Sequence, residues 1–179
     1  PDVAASLDAL IGAVGHGTPD PHFELTGGWE GIETVVDVGG GTGAMLAEIL
    51  RAHPHIMGTL VDLPRTVALA ADVFDAAGVS DRAVAVGQSF VVSLPDGADL
   101  YLLRGVLNDW PDREVEAILS RCREAAGSVG RVVVIKGVGL DGPPRGLSIE
   151  MVLAGGRQRT VSEFTELAQG SGLDVVAVS

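Results

Sequence analysis

The chain has 179 residues, with 12 Lys and Arg against 24 Asp and Glu, so its formal net charge is −12 at pH 7. This length suits one domain with a core, and an acidic chain is poorly equipped to neutralise phosphates, which excludes nucleic acid as a main partner. The longest segment without a charged residue, 83–95, is too short to cross a bilayer as a helix, so no membrane partner is expected. The single cysteine, Cys122, excludes an internal disulfide, and without a signal-peptide pattern we expect a cytoplasmic protein.

Short apolar runs alternate with helical periodicities along the chain, which predicts an α/β fold. Strands separated by helices imply right-handed crossovers and a mainly parallel sheet with helices on both faces. Residues 2–14 also show a helical pattern, with no strand before them. The predicted strands cover 34–38, 56–61, 83–86, 99–103, 131–136 and 173–178, and the predicted helices cover 42–52, 64–77, 111–126 (with Cys122 on the apolar face) and 162–170.

The first predicted strand runs into the glycine-rich turn VVDVGGGTGAM, which opens a helix. Glycines 39, 41 and 43 lie in this turn, where the missing Cβ atoms let the backbone approach a ligand and the helix N-terminus offers free N–H groups. In a doubly wound sheet the first strand-to-helix turn is the expected ligand crevice. The turn therefore predicts a ligand site.

Two classes of cofactor fit this turn. Gly39, Gly41 and Ala44 satisfy the G-x-G-x-x-G/A spacing of dinucleotide binders such as NAD-dependent dehydrogenases. Asp37 favours the other class, because a carboxylate at the strand tip repels a pyrophosphate and attracts a cation, and S-adenosylmethionine carries an ammonium and a sulfonium. Asp62, at the end of the second strand, is placed to accept hydrogen bonds from ribose hydroxyls, with capping of the next helix as the alternative.

Several motifs occur in a recognisable order: VVDVGGGTG, LVDLP, SFVVSLPDGADLYLLRGVLNDWPDREVEAIL, RVVVIK and GGRQRTVSEF. In this order and spacing, over about 34–179, the chain resembles the S-adenosylmethionine-dependent small-molecule O-methyltransferases. More narrowly, it resembles the bacterial branch that tailors polyketides and other aromatic natural products, which is related to the plant caffeate-type enzymes. The resemblance implies a Rossmann-like methyltransferase fold with a mainly parallel sheet and helices on both faces.

The resemblance also implies a domain organisation. We expect residues 1–30 to be a helical lead-in and residues 31–179 to be the S-adenosylmethionine-binding catalytic domain. Members of the family form homodimers through an N-terminal domain that is absent from this chain. The chain is therefore expected to be the cofactor-binding half of a longer, homodimeric enzyme.

The resemblance assigns the cofactor contacts residue by residue. Gly39 and Gly41 are expected under the methionine part, Asp62 on the ribose and Leu63 on the adenine. The remaining expected contacts are Ser89 and Phe90 at the adenine, Arg104 from the fourth strand and Asp37 through its charge.

The family's catalytic base is replaced in this chain. The family places a His before Asp-Trp in the loop after the fourth strand, where this sequence has Asn108, and an amide cannot take a proton near neutral pH. The two acidic positions that support the His match Lys136 and Gln158. Either Asn108 orients the acceptor hydroxyl and rate comes from proximity, or the protein binds the cofactor and has lost or changed methyl transfer.

The acceptor side is less well specified. Glu150 is a candidate catalytic group and Met151 a candidate substrate contact, with a solvated helix residue as the alternative for Glu150. Trp110 is a candidate substrate contact or a packing residue, and His53-x-His55 is too weak a pattern to predict a metal. The expected partner is a small aromatic acceptor, and the expected reaction is methylation of a hydroxyl on an aromatic or polyketide-type secondary metabolite.

Overall fold

The structure is a computed structural model that describes Pro21 and residues 23–139 and 155–178. Among these residues, five strands form one parallel sheet in the order β3-β2-β1-β4-β5, and two short strands, β6 and β7, form a separate parallel pair. The strands are β1 (Thr34–Val38), β2 (Met57–Asp62), β3 (Ala83–Gly87), β4 (Leu100–Arg104), β5 (Arg131–Ile135), β6 (Val138–Gly139) and β7 (Arg159–Thr160). The helices are α1 (Ala44–Ala52), α2 (Pro64–Val67), α3 (Ala70–Ala77), α4 (Asp112–Ala126) and α5 (Val161–Gly170), with a 3-10 turn over Leu107–Asp109.

Strand β1 lies in the middle of the sheet, and the direction of the connections reverses there. It pairs with β2 on one side, with Val38 opposite Val61, and with β4 on the other, with Asp37 opposite Leu102. Ligands of open α/β sheets bind at the carboxyl ends of the strands where the strand order reverses. The topology therefore gathers the ends of β1, β2 and β4 at one edge.

Helices cover both faces of the sheet, as predicted. On one face, Val35 and Leu60 pack with Leu46 of α1 and Phe74 of α3. On the opposite face, the apolar side of α4 packs against side chains of β1 and β4, in a cluster that contains Val36, Val38, Tyr101, Leu103, Val115, Ile118, Leu119 and Cys122. Burial of both faces explains why these strands are continuous apolar runs rather than alternating ones.

One predicted helix is divided in two. The prediction of a single helix over 64–77 is wrong in part, because the chain turns between α2 and α3. The Leu69 N–H donates to the Thr66 carbonyl three residues back, at 3.3 Å, so the regular four-residue ladder is interrupted. Leu69 is 50% exposed and Ala70 is fully buried, so the turn directs the apolar face of α3 towards the core.

The predicted strand over 173–178 is not a strand in the structure. Leu173 and Val175 are half-buried and Asp174 and Val176 are exposed, so burial alternates along the segment. Alternation creates a face but supplies no hydrogen-bonding neighbour, and within the described residues this segment pairs with no strand. The predicted helix over 2–14 lies outside the described residues.

Asp99 joins β1 to the segment before β4 at the end of the sheet opposite the glycine turn. Its Oδ2 accepts hydrogen bonds from Glu33 N at 2.9 Å, Thr34 N at 2.9 Å and Thr34 Oγ1 at 2.8 Å. Burial raises the pKa of Asp99, but the N–H and hydroxyl donors outweigh it and hold this pKa below its usual value. The carboxylate form is therefore the one that stabilises the fold.

We expect Asp99→Ala to lower the free energy of unfolding by about 1 to 3 kcal/mol at pH 7, because three donors lose their acceptor. A carboxyl whose pKa is lowered by folding stabilises above its unfolded-state pKa, and this contribution disappears as pH falls through the folded-state pKa. Urea unfolding at pH 7 and at pH 3 measures the difference, with Asp96→Ala, an exposed acid nearby, as the control. Equal stability of parent and Asp99→Ala at pH 7 would contradict this role.

Candidate functional site

The glycine turn after β1 has a backbone that only glycine adopts readily. Gly39, Gly41 and Gly43 have φ values of 70°, 65° and 83°. A Cβ on Gly39 would lie 2.8 Å from Val106 Cγ2, and a Cβ on Gly43 would lie 2.7 Å from Phe74 Cε1. Two of the three glycines are therefore required by packing as well as by φ.

Gly41 faces open space. A Cβ built on Gly41 meets no described atom within 4 Å, and its N–H donates to Asp62 Oδ2 at 2.8 Å. Asp62 Oδ1 accepts from Leu63 N at 2.7 Å, and the residue that caps α2 is Leu63, so the alternative role of Asp62 as helix cap is wrong. The open surface of the turn thus lies beside the Asp62 carboxylate, whose two oxygens each accept a backbone N–H.

Helix α1 begins directly after the turn. Its N-cap is Gly43, which offers no side-chain cap, and its first turn contains no acidic residue. The first N–H groups of a helix carry partial positive charge and lack partners within the helix. The turn therefore offers backbone donors on the α1 side and carboxylates on the strand side.

Asp37 lies beneath the turn and is fully buried. A Cβ on Gly40 would overlap its Oδ2, and neither carboxylate oxygen has a hydrogen-bond partner in the described part of the chain. Burial, and next the charge of Asp62, raise the pKa of Asp37 to about 7, while the charge of Arg104 lowers it. The site therefore contains a negative charge that the described residues compensate only through Arg104.

The other predicted cofactor residues lie at the same edge. Arg104 ends β4 and is 8% exposed. Leu63 directly follows β2 and Ser89 lies two residues after β3, and both are half-buried. Phe90 lies against the turn, because a Cβ on Gly39 would be 3.5 Å from Phe90 Cε1. The fold thus brings residues from three separate loops together.

Phe90 also contacts Trp110, which the sequence predicts as a contact of the acceptor substrate. The two rings meet edge to face, with centroids 6.0 Å apart and planes at 87°. The structure therefore places a predicted cofactor contact against a predicted acceptor contact.

Asn108 lies in the 3-10 turn after β4. Its Nδ2 donates to Asp109 Oδ1 at 2.8 Å, and its own Oδ1 is buried with no hydrogen-bond partner among the described residues. A Cβ on Gly137 would be 2.8 Å from this oxygen, so the segment after β5 passes close to the amide. The amide is fixed by one bond and leaves an acceptor unused, which is unusual for a buried polar atom.

The supporting positions of the family's His are not carboxylates here. Lys136 is exposed and has a left-handed φ of 66°, and among the described residues no other non-glycine residue has a positive φ. Gln158 is exposed. Glu150 and Met151 lie outside the described residues.

Neither a metal cluster nor a membrane helix is found in the part of the chain that the structure describes. Within residues 23–139 and 155–178, no three His, Cys, Asp or Glu side chains are grouped so as to hold a metal ion. His53 stacks on Trp29 with ring centroids 4.4 Å apart, and His55 meets His53 edge to face. No described helix is both long and apolar enough to cross a bilayer.

A charged network that the sequence patterns did not predict lies next to Asn108, formed by Asp112, Arg157, Arg159 and Glu163. Arg159 is 2% exposed, and its guanidinium bonds main-chain carbonyls of the loop after β4. The signal in the sequence was the position of Arg159 directly before Thr160, whose side chain forms a capping box with Glu163 at the start of α5.

The chain belongs to the O-methyltransferase domain family. The model of this family matches residues 23–174, which is most of the chain. The resemblance inferred from the motifs and the predicted fold class are confirmed.

Three similar proteins show the range of this family. The chain is 41% identical over 186 residues to the 2,7-dihydroxy-5-methyl-1-naphthoate 7-O-methyltransferase of Streptomyces carzinostaticus, covering 99% of this chain and 54% of that enzyme. It is 35% identical over 181 residues to the aclacinomycin 10-hydroxylase of Streptomyces purpurascens, covering 96% of this chain and 47% of that protein. A solved O-methyltransferase from neocarzinostatin biosynthesis, in complex with S-adenosylmethionine and 2-hydroxy-5-methyl naphthoic acid, superposes with a TM-score of 0.78 at 43% identity, covering 84% of this chain and 46% of that one. The chain therefore spans about half the length of the relatives it matches.

We expect Asp37→Asn to stabilise the protein at pH 8. The pKa of Asp37 in the folded protein, about 7, is above its ordinary value of 3.8, so the folded state loses stability as pH rises between these values. Removing the charge should raise the free energy of unfolding by on the order of 1 to 3 kcal/mol at pH 8 and change it little at pH 4.

Urea unfolding at pH 4, 6 and 8 measures this effect. Asp75→Asn, an exposed acid on α3, is the matched control and should show no such pH dependence. A stability difference between parent and Asp37→Asn that stays constant across this pH range would show that the buried carboxyl is not the titrating group.

Proposed function

We propose that this protein is an S-adenosylmethionine-dependent O-methyltransferase that acts on a hydroxyl of an aromatic or polyketide-type secondary metabolite. The observation that carries the proposal is the glycine turn of this family member, open at Gly41 and flanked by the buried carboxyl of Asp37 and the carboxylate of Asp62. Relatives named as naphthoate O-methyltransferases support the acceptor class.

Charge favours S-adenosylmethionine over a dinucleotide. Asp37 is fully buried, so it acts on a ligand above the turn through its field rather than by contact, and that field is strong in a medium of low dielectric constant. A cation over the turn offsets the cost of burying the carboxylate, whereas a pyrophosphate would add to it. Family membership supports the same choice.

Asp62 supplies the polar contact to the cofactor. Each of its oxygens already accepts one backbone N–H, from Gly41 and from Leu63. These bonds fix the carboxylate plane beside the open turn, and a carboxylate can accept hydrogen bonds from the two adjacent hydroxyls of a ribose.

Asn108 is proposed to orient the acceptor. Its unused Oδ1 can accept the hydrogen bond of an acceptor hydroxyl, which leaves an oxygen lone pair free to point at the methyl group. Bound S-adenosylmethionine supplies an electrophilic methyl group. Asn108 holds the hydroxyl while the proton leaves to solvent, so acceleration comes from geometry and from the acidity of the acceptor rather than from a base.

Phe90 and Trp110 form the proposed boundary between the two ligands. Phe90 packs at the glycine turn, and Trp110 meets it edge to face on the side of the Asn108 loop. An aromatic acceptor lying on Trp110 would have its hydroxyl near Asn108. We propose that Glu150 and Met151 complete the acceptor pocket.

A second candidate function rests on the same loop. The family includes a relative named as a hydroxylase, which is 35% identical to this chain. Asn108 in place of the His base is compatible with a protein that binds the cofactor and performs other chemistry or none. Detection of a transferred methyl group distinguishes the two candidates.

The domain organisation and the homodimer are part of the proposal. We propose that residues 31–179 are the cofactor-binding catalytic domain, with 1–30 as a lead-in, and that the enzyme dimerises through an N-terminal domain outside this chain. Equilibrium sedimentation of this chain beside a version carrying such a domain tests the proposal.

Asp62→Ala should weaken S-adenosylhomocysteine binding by at least about tenfold, because the variant loses the ribose acceptor and the bond that holds Gly41. Titration calorimetry measures the effect, with Asp75→Ala as an exposed control of equal charge change. Tighter binding of NAD than of S-adenosylhomocysteine by the parent protein would refute the cofactor assignment.

Asn108→Ala should lower turnover by about tenfold with S-adenosylhomocysteine affinity unchanged, because orientation is lost and no proton transfer is removed. The assay follows labelled methyl groups from S-adenosylmethionine onto 2-hydroxy-5-methyl naphthoic acid and onto phenols of graded acidity. Orientation alone is refuted if Glu150→Gln abolishes turnover while the cofactor still binds. Tight cofactor binding with no labelled product from any phenol would support the second candidate.

A further inference from the structure

The loop that carries Asn108 has two main-chain carbonyls that accept side-chain hydrogen bonds from outside the loop. They belong to Leu107 and Trp110, which flank Asn108 and Asp109. The loop's own bonds are few: Asp109 N donates to Val106 O at 3.1 Å and Trp110 N donates to Leu107 O at 3.4 Å. A single 3-10 turn holds its shape weakly by itself.

Arg159 satisfies both carbonyls. Its Nη1 donates to Leu107 O at 2.7 Å, and its Nη2 donates to Trp110 O at 2.8 Å. The same guanidinium bonds Asp112 Oδ1 through Nη2 at 2.7 Å and Nε at 3.0 Å. One planar side chain thus joins both ends of the Asn108 turn to the first residue of α4.

The backbone of Arg159 is itself fixed. Arg159 lies opposite Val138 in the β6–β7 pair, and its N–H donates to Gly137 O at 3.3 Å. The next residue, Thr160, caps α5. The main chain of Arg159 is therefore fixed by β6 and by the start of α5, while its guanidinium binds the loop after β4.

The segments around β6 and β7 also enclose Asn108 sterically. A Cβ on Gly137 would be 2.8 Å from Asn108 Oδ1, and a Cβ on Gly156 would overlap the Asn108 carbonyl oxygen. Asn108 is therefore close to the residues just before β6 and just before β7, and β7 begins with Arg159.

The burial of Arg159 makes its bonds indispensable. At 2% exposure a guanidinium is stable only when its donors are used. Its loss would leave Leu107 O with only the long bond from Trp110 N, and would remove the bond that Trp110 O accepts. A lysine keeps the charge but not the planar fork, so it cannot reach Leu107 O, Trp110 O and Asp112 with the same geometry.

We propose that Arg159 is a positioning residue of the methyltransfer site: it sets the place of Asn108 and Trp110 relative to the glycine turn. This inference rests on the proposed function for its effect on turnover. Arg159 acts on the loop's main chain, so its loss displaces the acceptor-orienting amide and leaves the cofactor residues on β1 and β2 in place. A displacement of about 1 Å of an orienting group is enough for about a hundredfold loss of rate.

Arg157 provides the matched control. It is a second arginine on Asp112, with Nη2 at 3.1 Å from Oδ2, and its Nη1 bonds Glu163 at 2.6 Å. Its side chain is 40% exposed, and its bonds go to side chains rather than to the loop's main chain. Arg157→Met therefore removes a similar charge and a bond to Asp112 without releasing the Asn108 loop.

The test compares Arg159→Met, Arg159→Lys and Arg157→Met in three measurements. These are S-adenosylhomocysteine affinity by calorimetry, kcat and KM with 2-hydroxy-5-methyl naphthoic acid, and hydrogen exchange of the Asp109 and Trp110 amides. We expect Arg159→Met to lower kcat by about 10- to 100-fold and to speed exchange at both amides by at least about tenfold, with cofactor affinity within about threefold of the parent. Arg159→Lys should be intermediate, and Arg157→Met should resemble the parent.

The outcomes separate this inference from the proposed function. If Arg159→Met, or Arg159→Lys where the former does not fold, matches Arg157→Met in kcat and in amide exchange, the positioning role is overturned. A parent protein that binds no S-adenosylhomocysteine contradicts the proposed function, and the positioning role is then decided by the exchange rates alone. If Arg159→Met lowers cofactor affinity as much as it lowers kcat, the positioning role is also overturned, because the substitution would then disturb the whole site and not the Asn108 loop alone.

Discussion

The central position of β1 is the constraint on which the site depends. Because β1 pairs with β2 and β4 at once, the residues at the ends of three strands share one edge of the sheet. The glycine turn can close over this edge only without side chains, since Cβ atoms at Gly39 and Gly40 would meet Val106 and Asp37. The bond from Gly41 N to Asp62 then ties the turn to β2, and the open surface above Gly41 follows from that closure.

Two buried ionisable side chains near this edge, Arg159 and Asp37, differ in their hydrogen bonding. Arg159 uses all three guanidinium nitrogens in bonds to carbonyls and a carboxylate, as a buried charge requires. Asp37 has no hydrogen bond within the described chain, and burial raises its pKa to about 7. The first arrangement stabilises a loop. The second leaves a buried carboxyl that costs stability in the folded chain, which is the basis for the proposal that a cationic ligand binds next to Asp37.

The loop after β4 links the two parts of the proposed mechanism. Asn108 cannot take a proton, so its value lies in where its Oδ1 is held. That position depends on contacts with segments far along the chain, around Gly137, Gly156 and Arg159. A family with members named as methyltransferases and one named as a hydroxylase is consistent with a cofactor scaffold whose chemistry is set by such a loop.

Local patterns in the sequence were sufficient for the sheet, the helices on both faces and the glycine-rich turn after β1. The apolar runs and the glycines act over a few residues, so the five strands of the main sheet were placed within two residues. The prediction of a strand over 173–178 was wrong because a strand needs a hydrogen-bonded neighbour. The prediction of one helix over 64–77 was wrong in part because the chain turns at Leu69, where Ala70 packs into the core. The burial of Asp37 without a hydrogen bond, the meeting of Phe90 with Trp110 and the bonds from Arg159 to the Asn108 loop all join residues distant in sequence. Such contacts arise only when the strands are assembled, because no spacing along the chain encodes which side chain covers a carbonyl or leaves a carboxylate unpaired.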